Sequence, residues 1–255
     1  MSDPYLYEEV PVLKNKLGIK NEKTLDRIEA EQSRANMMLL YEQGFQDFSP
    51  NGLRKIHRTL FGDIYEWVGQ YRIINIEKRE KLLAGRSVWY SNEDRIEEDL
   101  DAAFGRLGNA RWNGISREQF VHQLTSLFPP IWQVHPFREG NTRTVVMMMT
   151  FFVEHHGYFM DQELMAASAG YVRDSFVMPP WISFQNLSIW SAFCWMRFAM
   201  SRLITARKAW RSLPKYRKNT ANIRMSPMCR SRITGVRNKR SAQRKKIRCA
   251  LALFW

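Results

Sequence analysis

A chain of 255 residues with 45% hydrophobic residues is long enough for one sizeable buried core and a further segment. Its formal charge of +14 suggests nucleic acid or membrane, but the distribution removes that reading from most of the chain. Residues 1–174 hold all 25 acidic side chains against 21 Lys and Arg, a net −4, while residues 175–255 hold 18 basic side chains and no acidic one. The three cysteines, Cys194, Cys229 and Cys249, share that basic tail, so the body needs neither disulfides nor a cysteine metal site. The opening MSDPYLYEEV has no apolar stretch of the kind that directs export, and a cytoplasmic location is the expectation.

In chain order, Glu22 to Leu40 reads as a polar, charge-rich helix of good helix formers. Ser49 followed by Pro50 marks a capped helix start, after which Leu53, Ile56, Leu60, Ile64 and Trp67 recur at helical spacing until Gly69. Residues 70–90 change texture. Tyr71, Ile73, Ile74 and Ile76 lead into a charged patch and Gly85, and Ser87-Val88-Trp89-Tyr90 follows, the pattern of a β-hairpin with a polar tip. A helix begins near Ser91, with Ile96, Leu100, Ala103, Phe104 and Leu107 on one face. Ser116 with Gln119 is a capping-box signature for the next helix. That helix meets Pro129-Pro130, and at about 3 kcal/mol per internal proline a break or kink is expected there. Thr144 to Val153 is apolar on every face and reads as a buried central helix closed by Gly157. Asp161 caps a final helix through Tyr171 and Arg173.

Pro179-Pro180 then interrupts the chain. Residues 181–206 are rich in Trp, Phe, Ile and Met, and residues 207–248 in Lys and Arg. The tail can be read as a basic arm for nucleic acid or anionic lipid, as disorder, or as an aberrant terminus such as one translated in a shifted frame. The complete loss of acidic residues favours the last. Gln185, Asn186, Arg197 and Arg202 interrupt the apolar run and weaken any spanning helix.

Chemistry concentrates in His135–Arg143 (HPFREGNTR), immediately ahead of the apolar helix. The first N–H groups of a helix lack internal partners and sit at its positive end, so Gly140, Asn141 and Thr142 would line an anion site. Arg143 adds a fork matched to phosphate oxygens. Glu139 offers a hard oxygen ligand for Mg²⁺, and His135 can take a proton from a hydroxyl near neutral pH. Phe137 is expected to anchor the loop in the core. His57 and His122, without partner patterns, read as structural. Base, metal ligand, anion nest and phosphate arginine together suit phosphoryl or nucleotidyl transfer.

This segment resembles the signature of the Fic (filamentation induced by cyclic AMP) family, H-x-F-x-[DE]-G-N-G-R-x-x-R, with His135, Phe137, Glu139, Gly140, Asn141 and Arg143 matching. Gly69-Gln70-Tyr71-Arg72 and the hairpin are similar to that family's flap, and Leu13–Ile19 to the opening of its cell-filamentation type. The likeness covers about residues 5–178. It implies an all-α fold: a Fic-type helical domain over 1–178 (core about 48–178) with a short β-hairpin flap, and an irregular basic tail over 179–255. It implies a protein adenylyltransferase that moves AMP from ATP onto a Tyr, Ser or Thr hydroxyl of a target protein. His135 would be the general base and Glu139 would hold Mg²⁺. Gly140, Asn141, Thr142, Arg143 and Lys78 would bind the nucleotide. Ile74, Asn75 and Ile76 would dock the target by strand addition. Tyr171 and Arg173 either border the adenine pocket or lie on ordinary helix surface.

Thr142 and Val146 depart from the signature, replacing its second Gly and second Arg. A β-branched residue at 142 is strained if that position needs positive φ. It is acceptable, and its hydroxyl free for a contact, if the position is helical. The family's inhibitory pattern, [ST]-x-x-x-E-[GN], is absent from residues 1–178, so neither half of the usual self-inhibiting Glu–Arg pair is visible. A separate antitoxin-like protein is then a candidate regulator. The alternatives are an inactive Fic-like module, a different nucleotide donor, or a chain whose tail binds nucleic acid or membrane.

Overall fold

The computed structural model describes residues 3–80, 83–158, 173–174 and 176–177. The helix expected from Asp161 falls largely outside the described residues, and the whole tail beyond 179 does so. Five α-helices carry the described part: α1 (Glu22–Gln43), α2 (Pro50–Phe61), α3 (Ile96–Asn109), α4 (Arg117–Val134) and α5 (Asn141–His155). A 3₁₀ turn, Glu93–Arg95, leads into α3. Among these residues no helix is long and apolar enough to cross a membrane.

The central element is α5, which packs against α2 and α4. Every residue from Thr144 to Val153 is buried, as an all-round apolar helix requires. Gly157, at φ 80°, turns the chain so that the N–H of Tyr158 reaches the Val153 carbonyl. Around this axis α1 lies on α2, and α3 on α4.

The capping residues act as the sequence implies. Ser49 accepts the Gly52 N–H at 3.1 Å to start α2. Ser116 accepts from Gln119, whose side chain takes the Ser116 N–H in return, to start α4. α1 begins on Asn21, and its buried face alternates apolar Leu25, Met37 and Leu40 with polar Glu29, Ser33 and Asn36. That polar stripe is no solvated surface. Asn36 binds the Leu60 carbonyl and the Asp63 carboxylate, and Glu29 faces the motif loop.

Three expectations need revision. First, α2 ends at Phe61 instead of running to Gly69. The N-terminal segment takes its trailing carbonyls: the Lys16 N–H reaches Ile64 O at 2.7 Å, and Lys16 Nζ reaches Gly62 O at 2.8 Å. Ile64 and Tyr65 stay buried although the helix has stopped. Second, α4 passes through Pro129 and Pro130 without ending. Phe120, Leu124, Phe128, Ile131 and Trp132 are all at most 1% exposed, and their burial at about 1.5–3 kcal/mol each outweighs two lost helical hydrogen bonds. Third, the hairpin over 70–90 has one antiparallel bridge, Arg79 with Ser87, and no ladder among its described residues. Its hold on the body comes from side chains, as described below.

The tolerance of α4 for its prolines therefore rests on aromatic packing. Phe128→Ala is expected to lower the unfolding free energy by about 3–5 kcal/mol, read from denaturant melts followed by circular dichroism.

Candidate active site

The motif loop leaves α4 at His135, which adopts φ 51° and ψ 57°. Among the described residues only Ala84 shares a positive φ without being glycine. Such a conformation costs on the order of 1–3 kcal/mol and persists where neighbours over-determine it. Here the His135 N–H bonds to Trp132 O at 3.1 Å, and its carbonyl accepts from Arg72 Nε at 2.9 Å.

Arg72 is 2% exposed. Its guanidinium donates to three carbonyls, those of His135, Ile74 and Ser91, and its main-chain N–H donates to Pro136 O at 2.8 Å. Both ends of the flap are thereby tied to the motif loop. Burial lowers the Arg72 pKa, and the carbonyl dipoles compensate the cation.

Inside the loop, Asn141 closes a ring. Its Oδ1 accepts the Phe137 N–H at 2.9 Å and its Nδ2 donates to Phe137 O at 2.8 Å. The geometry gives both ends of this carboxamide to the Phe137 backbone. Phe137 is fully buried, as expected, and stacks on His57 with ring centres 3.8 Å apart.

His57 is structural, and it holds the loop. Its Nδ1 accepts the Gly69 N–H at 2.9 Å and its Nε2 donates to Glu139 O at 3.0 Å. That fixes the neutral tautomer. Burial, reinforced by Arg143, brings its pKa down to about 3 against the pull of the Glu139 carbonyl.

Gly140, at φ 80°, precedes the first turn of α5. A Cβ there would lie 2.4 Å from Phe61 Cε2, so only glycine fits. The N–H groups of Asn141 and Thr142 open the helix and have no intrahelical acceptor, the arrangement that suits an oxyanion. Thr142 is helical, which settles the alternative left by the sequence. Its Oγ1 accepts the Trp132 indole N–H at 2.9 Å.

Both oxygens of Glu139 are engaged. Oε1 accepts the Gly140 N–H at 3.0 Å and Oε2 pairs with Lys78 Nζ at 3.2 Å. Burial pushes its pKa up, but Lys78, the Gly140 N–H and Arg143 together bring it down to about 2. Lys78 reaches Glu139 from the flap, with its own N–H on Ser87 Oγ at 3.1 Å. Among the described residues no cluster of three or more His, Cys, Asp or Glu side chains is placed to bind a metal.

Arg143 lies over the Phe61 ring at 4.7 Å and is bound by Glu29 and by Ser33 Oγ. Glu29 also accepts from the Tyr65 hydroxyl. A Glu–Arg pair is therefore present at 29 and 143, although the sequence pattern for one is missing. Val146, at the position of the signature's second Arg, is packed in the core at 3% exposure.

His135 is 2% exposed and clamped by two aromatic rings, Tyr90 stacked at 4.1 Å and Trp132 edge-on at 5.2 Å. Its Nδ1 lies 3.3 Å from Trp132 O. A carbonyl only accepts, so Nδ1 carries the proton and Nε2 carries the lone pair. Nε2 is buried and has no partner. Burial, and next Lys78, hold the pKa well below 6.5 against the opposing pull of Glu139. Glu80, buried in the flap, is paired with both oxygens on Arg173. Ile73 and Trp89, at either end of the flap, are exposed at 69% and 89%.

The Fic/DOC family model matches residues 47–153, which include α2 to Val153 and the whole motif loop. The chain is 31% identical over 172 residues to "Probable protein adenylyltransferase y4lH" of Sinorhizobium fredii, covering 64% of this chain and 81% of that protein. The chain belongs to the Fic/DOC family. Its fold matches the crystal structure of the N-terminal Fic domain of a Bartonella effector protein from Bartonella sp. AR 15-3, with a TM-score of 0.63 at 21% identity over 80% of this chain and 94% of that one. The N-terminal Fic domain of a cell filamentation protein from Bartonella quintana, solved with bound ADP, is 25% identical with a TM-score of 0.54, over 68% of this chain and 92% of that one.

Two outcomes check this geometry. Gly140→Ala is expected to cost about 2–4 kcal/mol in denaturant unfolding, from the Phe61 overlap and the left-handed backbone. Lys78→Met removes the cation that keeps Glu139 ionised. With its folded pKa near 2, below the ordinary 4.5, Glu139 adds stability above pH 4.5 that is lost as pH falls towards 2. The substitution is therefore expected to move the midpoint of acid unfolding to higher pH, seen by fluorescence.

Proposed function

We propose that this chain transfers AMP from ATP to a Tyr, Ser or Thr hydroxyl of another protein. The enzyme class is that of its relatives, protein adenylyltransferase. The observation that carries the reading is the state of His135: a neutral imidazole with Nδ1–H on Trp132 O and an unpartnered Nε2 lone pair, beside the first turn of α5.

In this reading the target hydroxyl donates its proton to Nε2 as its oxygen bonds to the α-phosphorus. The bond to the β-phosphate bridge oxygen breaks, and pyrophosphate leaves. The Asn141 and Thr142 N–H groups, with the dipole of α5, receive charge developing on the α-phosphate oxygens. Lys78 is the flap cation poised for the departing phosphates, joined by Arg143 if its guanidinium leaves Glu29. Glu139, ionised and facing Lys78, fits a Mg²⁺ ion held by one carboxylate and substrate phosphates. When bound, the ion would neutralise phosphate charge as a Lewis acid.

The target would pair with the extended stretch at Ile74, Asn75 and Ile76. Arg72 holds Ile74 O and Tyr5 Oη takes the Ile73 N–H, so the stretch is fixed at its start. Successive N–H groups of an extended stretch face opposite edges, so a partner strand would take one of the Asn75 and Ile76 N–H groups and the alternate ones beyond it. Regulation by a separate antitoxin-like protein, and action in the cytoplasm, complete the reading. Nucleic acid or membrane contact would come only through the tail.

A second reading, an inactive Fic-like module, draws on Arg143 being bound to Glu29 and on Val146 in place of the second Arg. One experiment separates them. The purified chain, Mg²⁺, ATP labelled at the α-phosphate and a cell lysate should yield labelled protein. His135→Ala should lower the rate by about 10²–10⁴-fold. Because the His135 pKa lies below 6.5, the rate should hold as pH falls through 6.5 and drop only lower down. Label from γ-phosphate ATP alone, or no label with any nucleotide, would sink the proposal.

A further inference from the structure

We infer that Thr142 is a positioning residue for the general base: its hydroxyl anchors the Trp132 indole, and Trp132 sets the tautomer and direction of His135. The inference rests on the reading of His135 as base.

Trp132 is 1% exposed, and a buried indole N–H needs an acceptor. Thr142 Oγ1 supplies it at 2.9 Å. This contact crosses from the last turn of α4 to the first turn of α5, the two helix ends that flank the motif loop. A glycine at 142, as in the family signature, has no side-chain oxygen to offer. The chain departs from the signature where Trp132 requires an acceptor, and the two residues form a matched pair.

Trp132 then acts on His135 in three ways. Its carbonyl accepts the His135 N–H at 3.1 Å, holding the left-handed backbone. The same carbonyl lies 3.3 Å from Nδ1 and so dictates which nitrogen keeps the lone pair. Its ring stands edge-on to the imidazole at 88° and also edge-on to the stacked Tyr90, with ring centres 6.0 Å apart. Phe176 stacks on the indole with ring centres 5.6 Å apart, so the ring is braced on its face by Phe176 and along its edge by Thr142. Thr142→Val keeps shape and β-branching while removing the acceptor. The indole N–H then has no acceptor, and the Trp132 main chain loosens with it.

The competing role for the hydroxyl is a direct contact to phosphate, because its proton remains free to donate. A double-mutant cycle separates the two. We would measure, in the full chain, adenylyl transfer against pH and ATP concentration for T142S, T142V, W132F and the pair T142V/W132F. The ¹⁵N shifts of the His135 ring would report its tautomer without any turnover. T142S should keep kcat within about twofold, and T142V should lower it about tenfold, the scale of one hydrogen bond to a buried donor, with KM for ATP little changed. T142V should also mix the two neutral tautomers and move the acid limb of the profile up towards pH 6.5. In the W132F background T142V should add no further loss.

The inference is overturned if T142V retains wild-type kcat and a single tautomer. It is also overturned if the T142V loss persists in full with W132F, or falls on KM alone; either result assigns the hydroxyl to the nucleotide. Were H135A as active as the parent, the base reading would fail separately, and the ring ¹⁵N shifts would still decide whether Thr142 sets the tautomer.

Discussion

A guanidinium buried among carbonyl groups is the constraint on which the site depends. Removing a cation from water costs several kcal/mol unless hydrogen bonds replace its hydration. Arg72 directs three of its five N–H donors to the carbonyls of His135, Ile74 and Ser91. The charge cannot be left unsatisfied, so the flap cannot leave the motif loop at either end without a large penalty. This explains how a segment with one β-bridge keeps a defined position. Its order comes from Arg72 placed between its ends, together with the Lys78–Glu139 and Arg173–Glu80 pairs, where a longer hairpin would have used a ladder.

The same logic recurs across the loop. Asn141 spends its carboxamide on one residue's backbone, and His57 spends both ring nitrogens on two loops. Each buried polar group is matched with main chain, so the loop's shape is specified before any ligand arrives. What remains unmatched is correspondingly informative. His135 Nε2 and the Tyr90 hydroxyl are buried without partners and lie on two stacked rings. An apolar pair of rings in this place would cost less to bury.

Much of this was legible in the sequence where signals are local. Ser49, Ser116 and Gly157 mark helix ends through hydrogen bonds within a few residues, and the all-apolar run of α5 has no other stable place than the core. The closeness of His135, Glu139 and Gly140 was readable because one short loop carries them, while Lys78 meets Glu139 from the flap. Long-range partners were not readable. Glu29 and Ser33 look like solvated helix surface, and only the fold turns them towards Arg143. The early end of α2 depends on Lys16, 46 residues before Gly62. The continuity of α4 depends on aromatic burial that a per-residue helix scale does not count.

The N-terminal segment and α1 carry a consequence for where this domain begins. The match to the Fic/DOC family model starts at residue 47, yet Lys16 ends α2, Glu29 and Ser33 grip Arg143, Tyr5 meets the flap, and Asp3 holds Arg138 inside the motif loop at 2.7 Å. These contacts make the first 46 residues part of the catalytic frame in a physical sense, whatever their similarity to other chains. A lineage that exchanged this segment for another would have to replace an acid facing Arg143 and one facing Arg138 in the same step. The inheritable unit is therefore the loop together with its distant carboxylates, and the charges on the two sides are expected to change in concert or not at all.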